Sequence, residues 1–274
     1  DSCPCFDLIE PTHGESAVVV EVPHAGLWMD PEAMAHTVVP VRAVARDADL
    51  YADELASEVP AHGATLLIAR ASRYVVDLNR GAEDYDGLSV QDGVGAGFPR
   101  GVVWRLSADG VAVLGAPLPR PELTRRLGRY YEPYHAALDR VVERKRRRFG
   151  GAIVLSLHTM PSTGHSLVTW QAVARADVVI GTRGGTTSSP AVAALVEEHA
   201  QAFGWTVAHD DPYRGGATTG RMGRPLEGIH AIQVELARRL YMSETSLARK
   251  DAAFPVVRSF CGGLVARIGA AALG

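Results

Sequence analysis

Cysteine is scarce in this sequence, and long apolar runs are missing from it. Cys3, Cys5 and Cys261 are the three cysteines in 274 residues, and the spacing of the first two is too close for an easy disulfide. We expect unpaired thiols in a reducing compartment rather than a disulfide framework or a metal site at Cys3 and Cys5. No apolar stretch approaches the roughly 20 residues of a membrane span, and the first residues carry no signal-peptide pattern. We therefore expect a soluble, cytoplasmic protein.

The sequence also lacks an excess of either charge. Its formal net charge is −3, so we expect no global attraction to nucleic acid or to anionic lipid. The basic run 144–148 follows a predicted amphipathic helix and is expected to compensate the helix dipole rather than to bind DNA. With 274 residues the chain is long enough to bury a sizeable core, and we expect one domain over residues 1–274.

Two apolar strands are each predicted to end in a histidine. Residues 152–155, bounded by glycine before and proline after, predict a short strand buried on both faces, and His158 follows it. Residues 17–22 predict a second such strand, followed by His24. In open α/β sheets the carboxyl ends of the strands are where ligands bind, so the two imidazoles can meet at one ion. The alternative for each is a semi-buried, hydrogen-bonded structural histidine.

Helical and strand patterns alternate along the rest of the chain. Apolar residues at helical spacing predict helices over residues 40–58, 121–149, 190–203 and 255–273. Short apolar runs predict strands over residues 64–69, 74–78, 176–180, 205–208 and 231–236. Residues 26–39 are predicted to be irregular, and residues 83–120 to form loops with a small hairpin. The alternation predicts an α/β fold with a mainly parallel sheet.

Polar residues crowd the two ends of the predicted strand over residues 74–78. They are Arg73, Asp77, Asn79 and Arg80. A buried guanidinium group needs a carboxylate or a substrate as its partner, which makes these residues candidates for a binding site. An Arg–Asp ion pair that only locks the strand end is the alternative, and the residue types leave both open.

A carboxylate stands inside the last predicted strand, IQVEL. Burying Glu235 among apolar neighbours is costly unless it is paired or coordinated, and burial tends to raise a carboxyl pKa toward the range of a general base. An ion pair with Arg238 or Arg239 is the structural alternative. Both interpretations stay open at this point.

Two glycine-rich turns carry an arginine each. Arg183 lies in the turn over residues 181–185, and Arg214 lies in the turn DPYRGG over residues 211–216. Glycine lets the backbone approach a ligand, and a guanidinium binds a carboxylate through two parallel hydrogen bonds, so an anionic substrate is the predicted partner. The spacing matches no phosphate-binding loop. The alternative is that both side chains are exposed and bind only water.

With these residues assembled, the chain resembles the N-formylglutamate amidohydrolase (deformylase) family, and more distantly the zinc carboxypeptidases and aspartoacylase. The matching motifs are EVPHAG at 21–26, RDAD with DEL at 46–55, SRYVVDLNR at 72–80, LHTMPS at 157–162, DPYRGG at 211–216 and GRPLEGIHAIQVELARRLYM at 223–242. The resemblance implies an α/β three-layer sandwich in a single domain, with a mixed, mainly parallel sheet like that of the zinc-carboxypeptidase and phosphorylase/hydrolase fold.

The resemblance also implies a metal centre with one Zn²⁺ per chain, or another divalent transition ion. Its ligands would be His24, His158 and an acid, for which we choose Asp49 over Asp47. Two imidazoles and one carboxylate leave a coordination position for water, as metal-assisted amide hydrolysis requires. The other implied roles are Glu235 as the general base, Arg73 or Arg80 as the group that polarises the carbonyl or holds a carboxylate, and Asn79, Arg183, Tyr213 and Arg214 as substrate-binding residues.

The expected function is hydrolysis of the amide bond of a small, anionic N-acyl amino acid similar to N-formyl-L-glutamate, giving formate and the amino acid. Four positions depart from the family pattern. Ser156 stands where an acid often precedes the Leu-His pair, Thr182 and Gly184 replace an Asp and a His, and Ala237 replaces an Asn. These changes leave the implied metal ligands and the implied general base in place, and we expect them to affect substrate recognition. The alternatives are a carboxypeptidase-like hydrolase of a peptide or tailored metabolite, and a catalytically silent binding homologue.

Overall fold

The computed structural model of the chain describes residues 5–165 and 171–271. In this part of the chain the strands are β1 (Phe6–Ile9), β2 (Val18–Val22), β3 (Thr65–Ala69), β4 (Ala152–Met160), β5 (Thr163–His165), β6 (Ala172–Ala174), β7 (Val178–Gly181), β8 (Val207–His209) and β9 (Ile229–Ala237). The α-helices are α1 (Pro31–His36), α2 (Val41–Asp47), α3 (Ala52–Leu55), α4 (Arg120–Arg126), α5 (Glu132–Phe149), α6 (Pro190–Ala202), α7 (Ala217–Met222) and α8 (Phe254–Ala270). A π-helical turn joins α4 to α5.

Seven of the strands in the described ranges form a mixed sheet flanked by helices, and β5 and β6 form a separate antiparallel pair. The order of the mixed sheet, over the described ranges, is β1-β3-β2-β4-β9-β7-β8. Strands β2, β4 and β9 run parallel, and β7 runs antiparallel to β9 and parallel to β8. Strands β2 and β4 are buried along their whole length. Parallel strands that are covered on both faces consist of continuous apolar runs, which is the pattern that these two segments show. The predicted α/β fold with a mixed, mainly parallel sheet is confirmed.

Contacts between residues divide the chain into two units. The first comprises residues up to 7, 23–50 and 67–140, and the second comprises 8–22, 51–66 and 141 onward. Short helices, turns and long loops make up most of the first unit, around a cluster that contains Tyr74 and Trp104. The second unit contains β2, β4, β9, β7 and β8 together with α6 and α8. The single-domain extent over residues 1–274 stays a prediction.

The strand predicted over residues 74–78 is wrong, because these buried residues form turns and irregular backbone instead. The N–H of Val75 donates to the carbonyl of Ser72 at 2.8 Å. The Arg126 guanidinium donates to the carbonyls of Tyr74 and Val75 at 3.2 and 3.0 Å. An apolar run is therefore buried here without strand pairing, since a side chain satisfies the backbone that a neighbouring strand would otherwise satisfy.

The single helix predicted over residues 40–58 is also wrong. Helix α2 ends at Asp47, and α3 begins at Ala52 after a break in which Tyr51 has a φ of +69°. The N–H of Asp49, inside the break, donates to the carbonyl of His24 at 2.9 Å instead of continuing the helix. The segment predicted to be irregular over residues 26–39 contains α1, which Asp30 caps through the N–H of Ala33 at 2.6 Å.

The central strand extends beyond its predicted end. Strand β4 continues to Met160, and it pairs with β9 from Ala152 opposite Ile229 to Met160 opposite Ala237. His158 therefore lies inside a strand rather than at its end. Most other predicted elements differ from the observed ones by a few residues, and residues 272–273 of the last predicted helix lie outside the described ranges.

One of the two N-terminal cysteines lies in the described part of the chain. Cys3 lies outside the described residues, and the Cys5 thiol donates to the carbonyl of Arg129 at 2.7 Å. Over residues 5–165 and 171–271, no helix combines the length and apolar character needed to cross a membrane.

Candidate metal centre

His24 lies just after β2 in the first unit, and its imidazole is 2% exposed. Its Nε2 is 2.8 Å from Asp77 Oδ1, and its Nδ1 is 3.6 Å from Asp49 Oδ2. A carboxylate accepts the Nε2 proton, which fixes the tautomer and ring orientation and directs the Nδ1 lone pair toward the side of Asp49. Both ring nitrogens therefore have a defined role in a site that contains Asp49.

Gly26 shapes the loop that carries His24. A Cβ at this position would lie 2.4 Å from the backbone carbon of Arg70, closer than real Cβ contacts allow. The N–H of Trp28 donates to the carbonyl of Arg70 at 3.1 Å, so the two segments run against each other. The glycine of the PHAG motif is therefore required for this close approach of two backbones.

Asp77 is the centre of a buried hydrogen-bond network in the first unit. It accepts from Arg73 Nη2 at 2.8 Å, from Trp104 Nε1 at 2.9 Å and from the N–H of Asn79 at 2.9 Å. Burial raises the pKa of Asp77, but the electrostatic interactions with His24 and Arg73, together with the hydrogen bond from His24, outweigh burial and hold that pKa well below its usual value. An ionised carboxylate is thus fixed against His24.

Arg73 and Arg80 have different surroundings. Arg73 binds Asp77, and its guanidinium lies 4.3 Å from the centre of the Trp104 ring. Burial lowers the pKa of Arg73, but the charges of Asp77 and Asp49 overcome it and raise the pKa. The predicted Arg–Asp pair is therefore present, and it locks a turn. Arg80 is 36% exposed against 16% for Arg73, and its Nη1 is 3.9 Å from Asp84 Oδ2, so Arg80 is the more accessible cation.

The geometry favours Asp49 over Asp47 as the acidic ligand. Asp47 Oδ2 accepts from the Tyr74 hydroxyl at 2.6 Å and from the N–H of Ala108 at 2.8 Å. Burial, together with Asp47, raises the pKa of Tyr74, which keeps the phenol protonated as a donor. Asp47 therefore stabilises the local structure, whereas the carboxylate of Asp49 faces the imidazole of His24.

His158 lies inside β4 in the second unit, 2% exposed. Its Nε2 is 3.0 Å from Ser156 Oγ, and Ser156 Oγ donates to Glu21 Oε1 at 2.7 Å. Ser156 is the register partner of Glu21 on the neighbouring parallel strand. The three polar side chains are all buried within strands.

Glu235 is the register partner of His158 on the neighbouring strand β9. It is 5% exposed, and its Oε1 accepts from Gln233 Nε2 at 2.7 Å. Of the two arginines in the predicted alternative, Arg239 binds Asp177 at 2.7 Å, and Arg238 Nε donates to Thr159 Oγ1 at 3.3 Å. The pairing of Glu235 with Arg238 stays an open alternative. Gln233 was missed at the level of sequence, although its place two residues before Glu235 puts both side chains on one face of the strand.

The two glycine turns of the second unit are bound to each other. Arg183, with a φ of +53°, donates from its backbone N–H to the carbonyl of Arg214 at 2.7 Å. Its Nη1 donates to the carbonyl of Gly215 at 3.0 Å. Both arginines are exposed, and the guanidinium of Arg175 lies 5.3 Å from the centre of the Tyr213 ring. The substrate-binding roles of Arg183, Tyr213 and Arg214 stay predictions.

Three buried side chains form a group that could hold a metal ion. His24, Asp49 and His158 each present one ligand atom, and these atoms lie within 4.8 Å of one another. Two imidazoles and one carboxylate form a donor set that suits zinc and leaves a coordination position open. They are the three residues that the family resemblance implies, and their binding of an ion stays a prediction.

Comparison with known proteins identifies the family. The family model for N-formylglutamate amidohydrolase matches residues 16–242. The chain belongs to the N-formylglutamate amidohydrolase family. The matched region contains every candidate ligand, base and substrate-binding residue named above.

Three relatives of this amidohydrolase family member cover most of its length. The N-formylglutamate deformylase of Pseudomonas putida is 29% identical over 248 residues, which are 88% of each chain. That of Pseudomonas aeruginosa is 30% identical over 238 residues, 84% of each chain. The crystal structure of N-formylglutamate amidohydrolase from Ralstonia eutropha JMP134 matches with a TM-score of 0.90 and 32% identity, over 98% of this chain and 99% of the other.

The departures of this N-formylglutamate amidohydrolase family member have defined surroundings. The N–H groups of Thr182 and Gly184 each donate to the Asp210 carboxylate at 2.8 Å, so this turn is held by an acid from outside it. Ala237 is fully buried and packs with Met160. Ser156 is bound between a histidine and a carboxylate, as described above.

Proposed function

We propose that this protein is a metal-dependent amidohydrolase that cleaves N-formyl-L-glutamate or a closely similar N-acyl amino acid. The observation that carries the proposal is the buried group of His24, Asp49 and His158, with Glu235 beside His158 on the next strand. Membership of the family and the two deformylase relatives support the choice of an amide substrate.

We further propose zinc as the bound ion. The donor set fits it, because imidazole and carboxylate are common zinc ligands and all three residues are buried. When bound, the ion would supply Lewis acidity to the amide carbonyl and to the attacking water. Within the chain, Asp77 orients His24, and the β4–β9 pairing places His158 next to Glu235.

Glu235 is the residue that we assign to proton transfer. In hydrolysis, water forms a bond to the carbonyl carbon while the bond from that carbon to nitrogen breaks. Glu235 accepts the proton of the water and passes it to the leaving amine, so that formate and the free amino acid are the products. The Gln233 amide, which donates to Glu235 Oε1 at 2.7 Å, orients the carboxylate for this task.

The cationic residues are assigned according to their surroundings. Arg73 is fixed on Asp77, so we assign it to holding that carboxylate. Arg80, which is more exposed, is our first candidate for polarising the carbonyl or binding a substrate carboxylate. We keep Asn79, Arg183, Tyr213 and Arg214 as candidates for binding the rest of an anionic substrate.

A hydrolysis screen with the zinc-loaded protein tests the proposal. N-formyl-L-glutamate, other N-formyl and N-acetyl amino acids and short peptides would be compared, with formate and free amine measured separately. We expect formate release from N-formyl-L-glutamate that stops on chelation and returns with zinc. Cleavage of peptides alone would instead identify a carboxypeptidase-like enzyme, and no cleavage by a protein with stoichiometric zinc would identify a silent homologue.

A further inference from the structure

A second buried carboxylate of the second unit has no role in the proposed reaction. Glu21 is fully buried on β2, with Val20 and Val22 beside it also buried. Placing a carboxylate in an apolar strand is costly unless hydrogen bonds compensate the loss of water. Its oxygen Oε1 accepts from Ser156 Oγ at 2.7 Å. The hydroxyl group of Ser156 on the neighbouring strand thus connects Glu21 with the strand that carries His158.

The direction of these hydrogen bonds fixes the state of His158. A hydroxyl group has one proton, and Ser156 donates it to Glu21. In the 3.0 Å contact between Ser156 Oγ and His158 Nε2, the oxygen must therefore accept, and Nε2 must carry the proton. The neutral imidazole then has its lone pair on Nδ1, and the ring orientation is fixed by the same bond.

The other imidazole of the candidate centre has the same arrangement with one difference. His24 Nε2 is bound directly to a carboxylate, Asp77 Oδ1, at 2.8 Å. His158 Nε2 reaches its carboxylate, Glu21, through the hydroxyl of Ser156. Both rings are thus held through Nε2, and a ligand imidazole held at one nitrogen by an acceptor is the usual arrangement in zinc sites.

We infer that Glu21 and Ser156 are positioning residues for His158, with the Glu21 carboxylate acting on the imidazole through the Ser156 hydroxyl. Glu21 and Ser156 are register partners on parallel strands, so an acid at either position lies in the same row of the sheet. The inference rests on the proposed function only in taking His158 as a metal ligand.

Zinc affinity tests the inference directly, by competition with a chromophoric chelator. Removing an outer hydrogen-bond partner of a ligand typically lowers metal affinity about 10- to 100-fold. We expect that loss for Ser156→Ala and for Glu21→Met, and we expect the double variant to lose little more than either single variant. Ser188→Ala, a buried serine in the same unit, is the matched control and should bind zinc like the wild type.

Stability separates positioning from a merely structural role. Glu21→Met keeps the side-chain volume and removes a buried charge, so the metal-free variant should unfold at the same denaturant concentration as the wild type or a higher one. A structural role predicts lower metal-free stability with zinc affinity unchanged, and that result would overturn the inference. If Ser156→Ala does not fold, the zinc affinity and the metal-free stability of Glu21→Met decide between the two roles.

A swap of the two residues provides the rescue. Glu21→Ser combined with Ser156→Asp places the acid beside the imidazole, and zinc affinity should return to within a few-fold of the wild type. The visible spectrum of the Co²⁺-loaded protein should change in Ser156→Ala and recover in the swap. Unchanged zinc affinity in the single variants would reject the inference while leaving the proposed hydrolysis untouched. Normal zinc binding without any hydrolysis would reject only the proposed function.

Discussion

His24 and His158 belong to two different kinds of structure. His24 follows a strand and, like Asp49, lies in an irregular segment of the first unit. His158 and Glu235 lie inside β4 and β9, which pair along nine residues. The loop residues are held by a network of charges and aromatic contacts around Asp77, whereas each strand residue has a polar neighbour two positions earlier on its own strand.

The difference shows what each kind of structure supplies. A paired strand fixes the position of each Cα through its ladder, so the side chain needs less support from its surroundings to keep its orientation. An irregular segment has no such ladder, and its geometry depends on side chains that must remain charged and in contact. We therefore expect substitutions around the loop residues to lower stability and metal binding together, and those in the strands to affect function more selectively.

The largest effect is expected from a substitution in a strand that removes a chemical function and leaves the shape of the side chain nearly unchanged. Glu235→Gln is near-isosteric and cannot accept the proton, so kcat should fall by about 100- to 10,000-fold with fold and zinc content retained. Circular dichroism and metal analysis accompany the kinetics. Glu227→Gln, on an exposed turn, is the control. A kcat near the wild-type value would remove Glu235 from the mechanism, and unfolding would make it a structural residue.

Asp77→Asn should show the contrasting behaviour of the loop residues. The change leaves the Arg73 guanidinium without its charged partner and weakens the hold on His24. Breaking a buried pair from one side typically costs about 3–5 kcal/mol of unfolding free energy, and zinc affinity should fall as well. Urea unfolding and zinc competition measure the two effects. Asp84→Asn, next to the more exposed Arg80, should change neither by more than about 0.5 kcal/mol. If zinc affinity fell while the unfolding free energy stayed unchanged, the expected contrast between loop and strand residues would be contradicted.

Low pH should reduce the stability of the protein by protonating the buried carboxylate of Asp30, which lies in the first unit. Burial raises the pKa of this carboxyl, but hydrogen bonds from Arg125, Tyr130 and the N–H of Ala33 outweigh it and lower the pKa to about 2. Because the pKa of Asp30 is lower in the folded protein than in the unfolded chain, the charge of Asp30 stabilises the fold at pH values above about 3.8. This stabilisation is lost as the pH falls toward 2. The contribution is about 2 kcal/mol.

The test of this contribution is the pH dependence of unfolding. Wild type and Asp30→Asn would be unfolded with urea at pH 6, 4 and 3. The difference in stability between them should shrink as pH falls, because the unfolded wild-type chain takes up a proton on Asp30 near pH 3.8 while the folded protein does not until about pH 2. A difference that stays constant over this range would show that the Asp30 charge does not contribute.

The smallest expected effect concerns the glycine turns of the second unit. Arg214→Lys keeps the charge and loses the paired hydrogen bonds that a guanidinium makes with a carboxylate, so KM for an acidic N-acyl amino acid should rise roughly tenfold. KM for the amide-capped analogue should change little. Arg183→Lys adds a structural component, because Arg183 also binds the carbonyl of Gly215. Equal effects on both substrates would show that neither arginine binds the substrate carboxylate.

The sequence by itself located the central strands of the sheet and most of the candidate centre. Continuous apolar runs locate β2, β4 and β9 because burial on both faces requires them, and polar residues in or after such runs stand out for the same reason. His24, His158 and Glu235 were found in this way. The family motifs added Asp49 and the order in which these residues occur.

Only the tertiary structure decided how these residues are held. The helix break that turns Asp49 toward His24, the turns and irregular backbone over residues 74–78 and the bond from Ser156 to Glu21 all depend on contacts between distant segments. Local periodicity reports which face of an element is buried, but it does not contain the partner of a backbone carbonyl or of a buried carboxylate. Those partners are set by strand register and by loop packing, which exist once the whole chain has folded.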